Sequence, residues 1–76
     1  MKDVLELIVK NLVNNPDSVQ ITENTTDYSI ELKVKVDKVD MGKVIGKQGR
    51  IAKAIRTVIK SLAAVEKKKV DIEFLD

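Results

Sequence analysis

The chain has 76 residues, 43% of them hydrophobic and 34% charged, with no cysteine and no histidine. It is the length of one small domain, residues 1–76, without disulfides or thiolate metal sites and without the commonest catalytic base. The formal charge of +2 hides an asymmetry: of 14 basic and 12 acidic residues, six bases and no acid lie between Met41 and Val65. Those six are Lys43, Lys47, Arg50, Lys53, Arg56 and Lys60. A nearly neutral protein with one basic segment carries the footprint of a polyanion binder. A solvated helix face would mix its signs. No apolar run approaches the roughly 20 residues of a membrane span, and no signal-peptide pattern opens the chain, so a cytoplasmic location is expected. A core this small also makes dimerisation an expected source of stability.

Residues 2 to 14 predict a helix, with Val4, Leu5, Ile8, Val9 and Leu12 recurring on one broad face. Leu7 and Val13 lie off the centre of that arc, either at the core margin or in a contact with another chain. Asn14-Asn15-Pro16-Asp17 stops the helix, because proline disfavours helical geometry at the residue before it. Ser18 to Glu23 predicts a strand with Val19 and Ile21 inward and Gln20 and Thr22 outward. Asn24 to Asp27 has turn composition.

Tyr28 to Val36 predicts a second strand. Tyr28, Ile30, Leu32, Val34 and Val36 alternate with Ser29, Glu31, Lys33 and Lys35, so one face is buried and the other wet. The two strands form an antiparallel hairpin. Asp37 is placed as the N-cap of a short helix that ends near Ile45, with Asp40 as the acid of a capping box.

A longer helix is expected from Arg50 to Val65, with Ile51, Ala54, Ile55, Val58, Ile59, Leu62 and Val65 on its apolar face. Glu66 to Lys69 is a charged connector. Val70, Ile72 and Phe74 alternate with Asp71 and Glu73 as a last strand. The order α-β-β-α-α-β predicts an α+β fold, with three helices on one face of a three-stranded mixed sheet. The second and last strands are parallel, joined by a two-helix crossover. Gln20, Thr22, Glu31, Lys33, Asp71 and Glu73 are expected on the wet face.

Between the last two helices lies Gly46-Lys47-Gln48-Gly49. Glycines let backbone come close to a ligand, and the first N–H groups of the following helix lack intrahelical partners. No Ser, Thr, Asp or Asn stands at 47 to 50 to cap them. A phosphate can fill that role, with Lys47 and Arg50 adding charge-assisted contacts.

Val44 to Ile51 resembles the signature of the KH domain, whose GXXG loop clamps about four nucleotides. The element order resembles the type II form, and the length and the Gly42–Arg50 stretch resemble the bacterial stand-alone KhpA family. The resemblance covers essentially the whole chain. It implies an RNA-binding protein acting as a post-transcriptional regulator or RNA chaperone, with no cofactor. It also implies a homodimer, or a heteromer with a larger KH-containing, KhpB-like protein. The RNA-contacting set that it implies is Lys43, Val44, Ile45, Gly46, Lys47, Gln48, Gly49, Arg50, Ile51, Lys53 and Ala54.

Other glycine motifs fit badly. A Walker A loop needs its glycines five apart and Ser or Thr after the lysine, but Gly42 and Gly46 are four apart and Gln48 follows Lys47. The dinucleotide fingerprint needs glycine where Val44 stands. An RRM stacks bases on sheet aromatics, and Tyr28 and Phe74 both fall in the inward register. Lys67 to Lys69 are read as a solvated connector, with attraction for an RNA backbone as the alternative. No catalytic or metal-binding residues are expected: the serines show no nucleophile motif and the carboxylates no metal-loop spacing. The rival reading is a protein–protein adaptor in which the glycine turn is only a contact corner.

Overall fold

The computed structural model describes residues 1–75. Helix α1, Lys2–Leu12, buries Leu5 and Val9. It stops two residues before the expected end. Val13 adopts extended backbone, and its side chain turns into the core. Of the two residues off the centre of this helix's apolar arc, Val13 is therefore core, while Leu7 remains 65% exposed.

After a 3-10 turn at Pro16–Ser18, strand β1 runs Gln20–Thr25 and pairs antiparallel with β2, Ser29–Lys35. The pleat of β2 buries Ile30, Leu32 and Val34, and Val36 continues the pattern. Tyr28 departs from it. Expected as the first inward residue, it lies in the turn and is 82% exposed. The Thr26 hydroxyl accepts from the N–H groups of Tyr28 (3.2 Å) and Ser29 (3.0 Å). The register pairs Thr25 with Ile30, which leaves Asp27 and Tyr28 as the connection, so the strand starts one residue later.

Asp37 caps as expected, its carboxylate accepting from the Val39 N–H at 3.1 Å. A 3-10 turn at Lys38–Asp40 leads into helix α2, Met41–Ile45. Helix α3, Arg50–Val65, follows the glycine turn. Strand β3, Lys69–Leu75, closes the sheet parallel to β2, from Ser29↔Lys69 to Lys35↔Leu75. The strand order is β1-β2-β3. Gln20, Thr22, Glu31, Lys33, Asp71 and Glu73 are all exposed, so the helices cover the opposite face, as the alternation required.

The core face of α3 differs from the expected one. Ile55 and Ile59 are buried as predicted, but their buried neighbours are Ala52 and Ala63. Val58, Leu62 and Val65 stay exposed, Val65 to 82%. Small side chains at 52 and 63 let the helix seat closely, which rotates the bulkier residues away from the contact. The apolar arc of this helix is wider than the sheet beneath can cover.

The end of α3 is a Schellman motif. The Lys68 N–H reaches the Ala63 carbonyl and the Lys67 N–H reaches the Ala64 carbonyl, each at 3.0 Å. Lys67 takes the left-handed position, φ 58°, where glycine is the usual residue. Lys67→Gly is therefore expected to stabilise the fold by roughly 0.5–1 kcal/mol, the left-handed strain relieved less the added unfolded-state entropy. Urea denaturation measures it; a loss of stability would show that the lysine side chain contributes more than its backbone costs.

Candidate nucleic-acid interface

The turn from α2 to α3 reverses the chain by way of positive φ angles. The Gly46 N–H closes α2 on the Gly42 carbonyl at 2.9 Å, and Gly46 itself lies at φ 74°, ψ 177°. Gln48 (φ 57°) and Gly49 (φ 72°) are both left-handed. The two glycines meet different surroundings. A Cβ on Gly46 would stand 2.6 Å from Cγ1 of Ile51, whereas one on Gly49 would meet nothing within 4 Å. Gly46 is thus required by the chain's own packing, and Gly49 by its conformation. The open side of Gly49 faces outward at the start of α3, where no side chain caps the helix.

Around this turn Lys43, Lys47, Gln48, Arg50, Lys53 and Ala54 are exposed, and Ile45, Gly46, Gly49 and Ile51 are half-buried. Val44 is wholly buried and packs in the core, so it supports the turn from beneath. Among the described residues the ion pairs are Lys10–Glu6 and Lys33–Glu31, so none of the four basic residues here is neutralised by a carboxylate. Arg56 lies further along α3, half-buried over the Phe74 ring at 5.5 Å, and its Nε reaches the Ile72 carbonyl at 3.5 Å. It joins α3 to β3. Among the described residues no group of His, Cys, Asp or Glu is placed to hold a metal ion, and no helix is long and apolar enough to cross a membrane.

Asp40 has a role that its expected one, the acid of a capping box, does not describe. Its side chain is completely buried. One carboxylate oxygen accepts from the Asn14 N–H at 3.1 Å. The other accepts from the Asn15 N–H at 2.9 Å and from Asn15 Nδ2 at 3.0 Å. These bonds hold the chain leaving α1 against the start of α2, the helix that carries the glycine turn. The partners lie 25 and 26 residues away, so no local spacing reveals them.

Burial pushes the Asp40 carboxyl up. The bonds from Asn14 and Asn15, with the charge of Lys43, outweigh it, and the net direction is down. A lowered folded value means that the unfolded chain binds the proton more readily. The contribution of Asp40 is therefore fully present above the unfolded carboxyl value of about 3.9 and is lost as pH falls through the folded value. Asp40→Asn is expected to lower the Tm at neutral pH, because an amide NH2 replaces an acceptor facing N–H donors. The gap to wild type should narrow progressively below about pH 4. A gap that stayed constant down to pH 2 would show that charge is not the cause.

A family model described as KhpA/KhpB, KH domain, matches residues 2–74. The RNA-binding protein KhpA of Clostridium acetobutylicum is 60% identical over 75 residues, covering 99% of this chain and all of that protein. KhpA of Listeria monocytogenes is 47% identical over the full length of both chains. KhpA of Aquifex aeolicus is 42% identical over all of this chain and 96% of its own. Each of these relatives is named for binding, not for an enzymatic activity. With a mixed three-stranded sheet, helices on one face and a GXXG turn opening α3, the chain belongs to the KhpA/KhpB KH-domain family.

Proposed function

We propose that this protein binds single-stranded RNA at the turn Gly46–Gly49, by the sugar-phosphate backbone, and acts in the cytoplasm as a post-transcriptional regulator or RNA chaperone. The observation that carries the reading is the uncapped start of α3 beside Gly49, open where a side chain would stand and flanked by the unpaired Lys47 and Arg50. Backbone donors at such an end favour a phosphate. Ile45, Ile51 and Ala54 supply an apolar rim for bases, and Lys43 and Lys53 extend the positive surface. The relatives' name, RNA-binding protein, agrees with this reading.

The exposed stripe Val58, Leu62 and Val65 favours an accompanying assembly, a homodimer or a heteromer with a larger KH-containing protein. The same stripe would serve a pure adaptor with little RNA affinity. Filter binding with single-stranded and duplex RNA at moderate salt, run beside sedimentation at micromolar concentration, separates the readings. RNA binding restricted to single strands is expected. Self-association with no RNA retained on the filter would replace the clamp with the adaptor.

A further inference from the structure

The glycine turn leaves a second basic cluster without a role, at the far end of α3. The 16 residues of that helix span about 24 Å, with Gly49 before one end and Lys67 beyond the other. At the far end Lys60, Lys68 and Lys69, with Val70, line an open depression of about 300 Å³. The neighbouring acids Asp27, Glu66 and Asp71 are exposed, and none forms an ion pair with these lysines among the described residues. Lys67 holds a left-handed backbone beside them that glycine would adopt at lower cost.

The same end carries the chain's one tyrosine. The Tyr28 carbonyl accepts from the Lys69 N–H at 3.0 Å, and the residue is 82% exposed, so its ring contributes little to the core. A wet aromatic beside unpaired lysines has the composition of a base-stacking platform with phosphate contacts. Lys53, Arg56 and Lys60, three and four residues apart, lie along one side of α3 and connect the two ends.

Resting on the RNA-binding reading of the glycine turn, we infer that this end is a second contact for the same strand. Tyr28 stacks a base and Lys60, Lys68 and Lys69 meet the phosphates. The strand runs from the turn along the basic side of α3, and its footprint exceeds the roughly four nucleotides of a GXXG groove.

The test is fluorescence anisotropy of the full chain with labelled oligouridylates of four and twelve nucleotides. The variants are K60Q/K68Q/K69Q and Tyr28→Ala, each checked by circular dichroism. Extra binding registers on the longer RNA raise the affinity of every form alike, so each variant is compared with wild type at one length. Both variants should bind the tetranucleotide within twofold of wild type. The triple variant should bind the dodecanucleotide about tenfold more weakly, with a salt slope flatter by roughly 2, three contacts at about 0.7 each. Tyr28→Ala should weaken the dodecanucleotide about fivefold or more.

If both variants match wild type on the dodecanucleotide while the tetranucleotide is bound, the second contact is overturned and the glycine turn stands. If wild type binds neither RNA, both fall. Binding to phosphatidylserine vesicles that the triple variant loses, with its RNA affinity intact, would assign the cluster to lipid and overturn the inference.

Discussion

The double variant Lys47→Asp/Gln48→Asp should keep its fold and lose RNA affinity by about thirtyfold or more. Both residues are exposed, and neither contributes to the core. Acids beside the start of α3 are favoured by the helix dipole, and aspartate tolerates the left-handed backbone of position 48 better than most residues. The carboxylates occupy the place of the phosphate, compete for the same backbone donors and repel the strand. A charge-assisted hydrogen bond contributes about 1.5–3 kcal/mol, and a loss of about 2 kcal/mol is roughly thirtyfold. On a tetranucleotide, wild type should show a slope of log K against log salt of roughly −2, as Lys47, Arg50 and one further base each neutralise a phosphate. The variant should show a flatter one. An unchanged Kd in a variant with native circular dichroism and Tm would remove the clamp.

Gly46→Ala should cost roughly 2–6 kcal/mol of stability, enough to lower the Tm of a domain this small by ~10 °C or more. Two effects add. The backbone at φ 74°, ψ 177° lies in a region essentially reserved for glycine, a cost of about 1–3 kcal/mol. The new methyl would also stand 2.6 Å from Ile51 Cγ1, and Ile51 packs against the core, so displacing it adds the penalty of overpacking, about 1–3 kcal/mol. Gly49→Ala is the matched control. Its φ of 72° carries the left-handed strain of about 1–2 kcal/mol, but the methyl meets open space. Its larger effect should fall on RNA binding, because the methyl projects toward the strand. Thermal denaturation and filter binding of the two variants should rank them oppositely. Equal losses of stability would contradict the packing account of Gly46.

Element order, the sheet's wet face and the basic glycine turn were legible in the sequence because each rests on local pattern. The alternation from Ile30 to Val36 marks inward and outward residues whatever packs above them. The turn was legible because glycine spacing and the absence of capping residues belong to neighbouring positions. Tyr28 departs from the alternation because the hairpin register puts it in the connection, where the Thr26 hydroxyl takes its N–H.

Other features depended on partners that periodicity does not encode. On α3 the sequence offers a wide apolar arc, and the sheet beneath covers only part of it. Whether Ala63 or Leu62 faces inward is settled by how closely the helix can approach, a property of two surfaces meeting. Val13 leaves its helix for the core just before Asn14 and Asn15, which Asp40 holds across 26 and 25 residues. The difference between Gly46 and Gly49 likewise appears only once Ile51 has folded back over one of them. Sequence alone determined the architecture and where charge and glycine coincide, since both follow from repeats of two and 3.6 residues and from backbone chemistry. Tertiary structure decided which apolar residues are buried, what Asp40 binds and which glycine is free to meet a ligand, because each depends on contacts between segments distant in the chain.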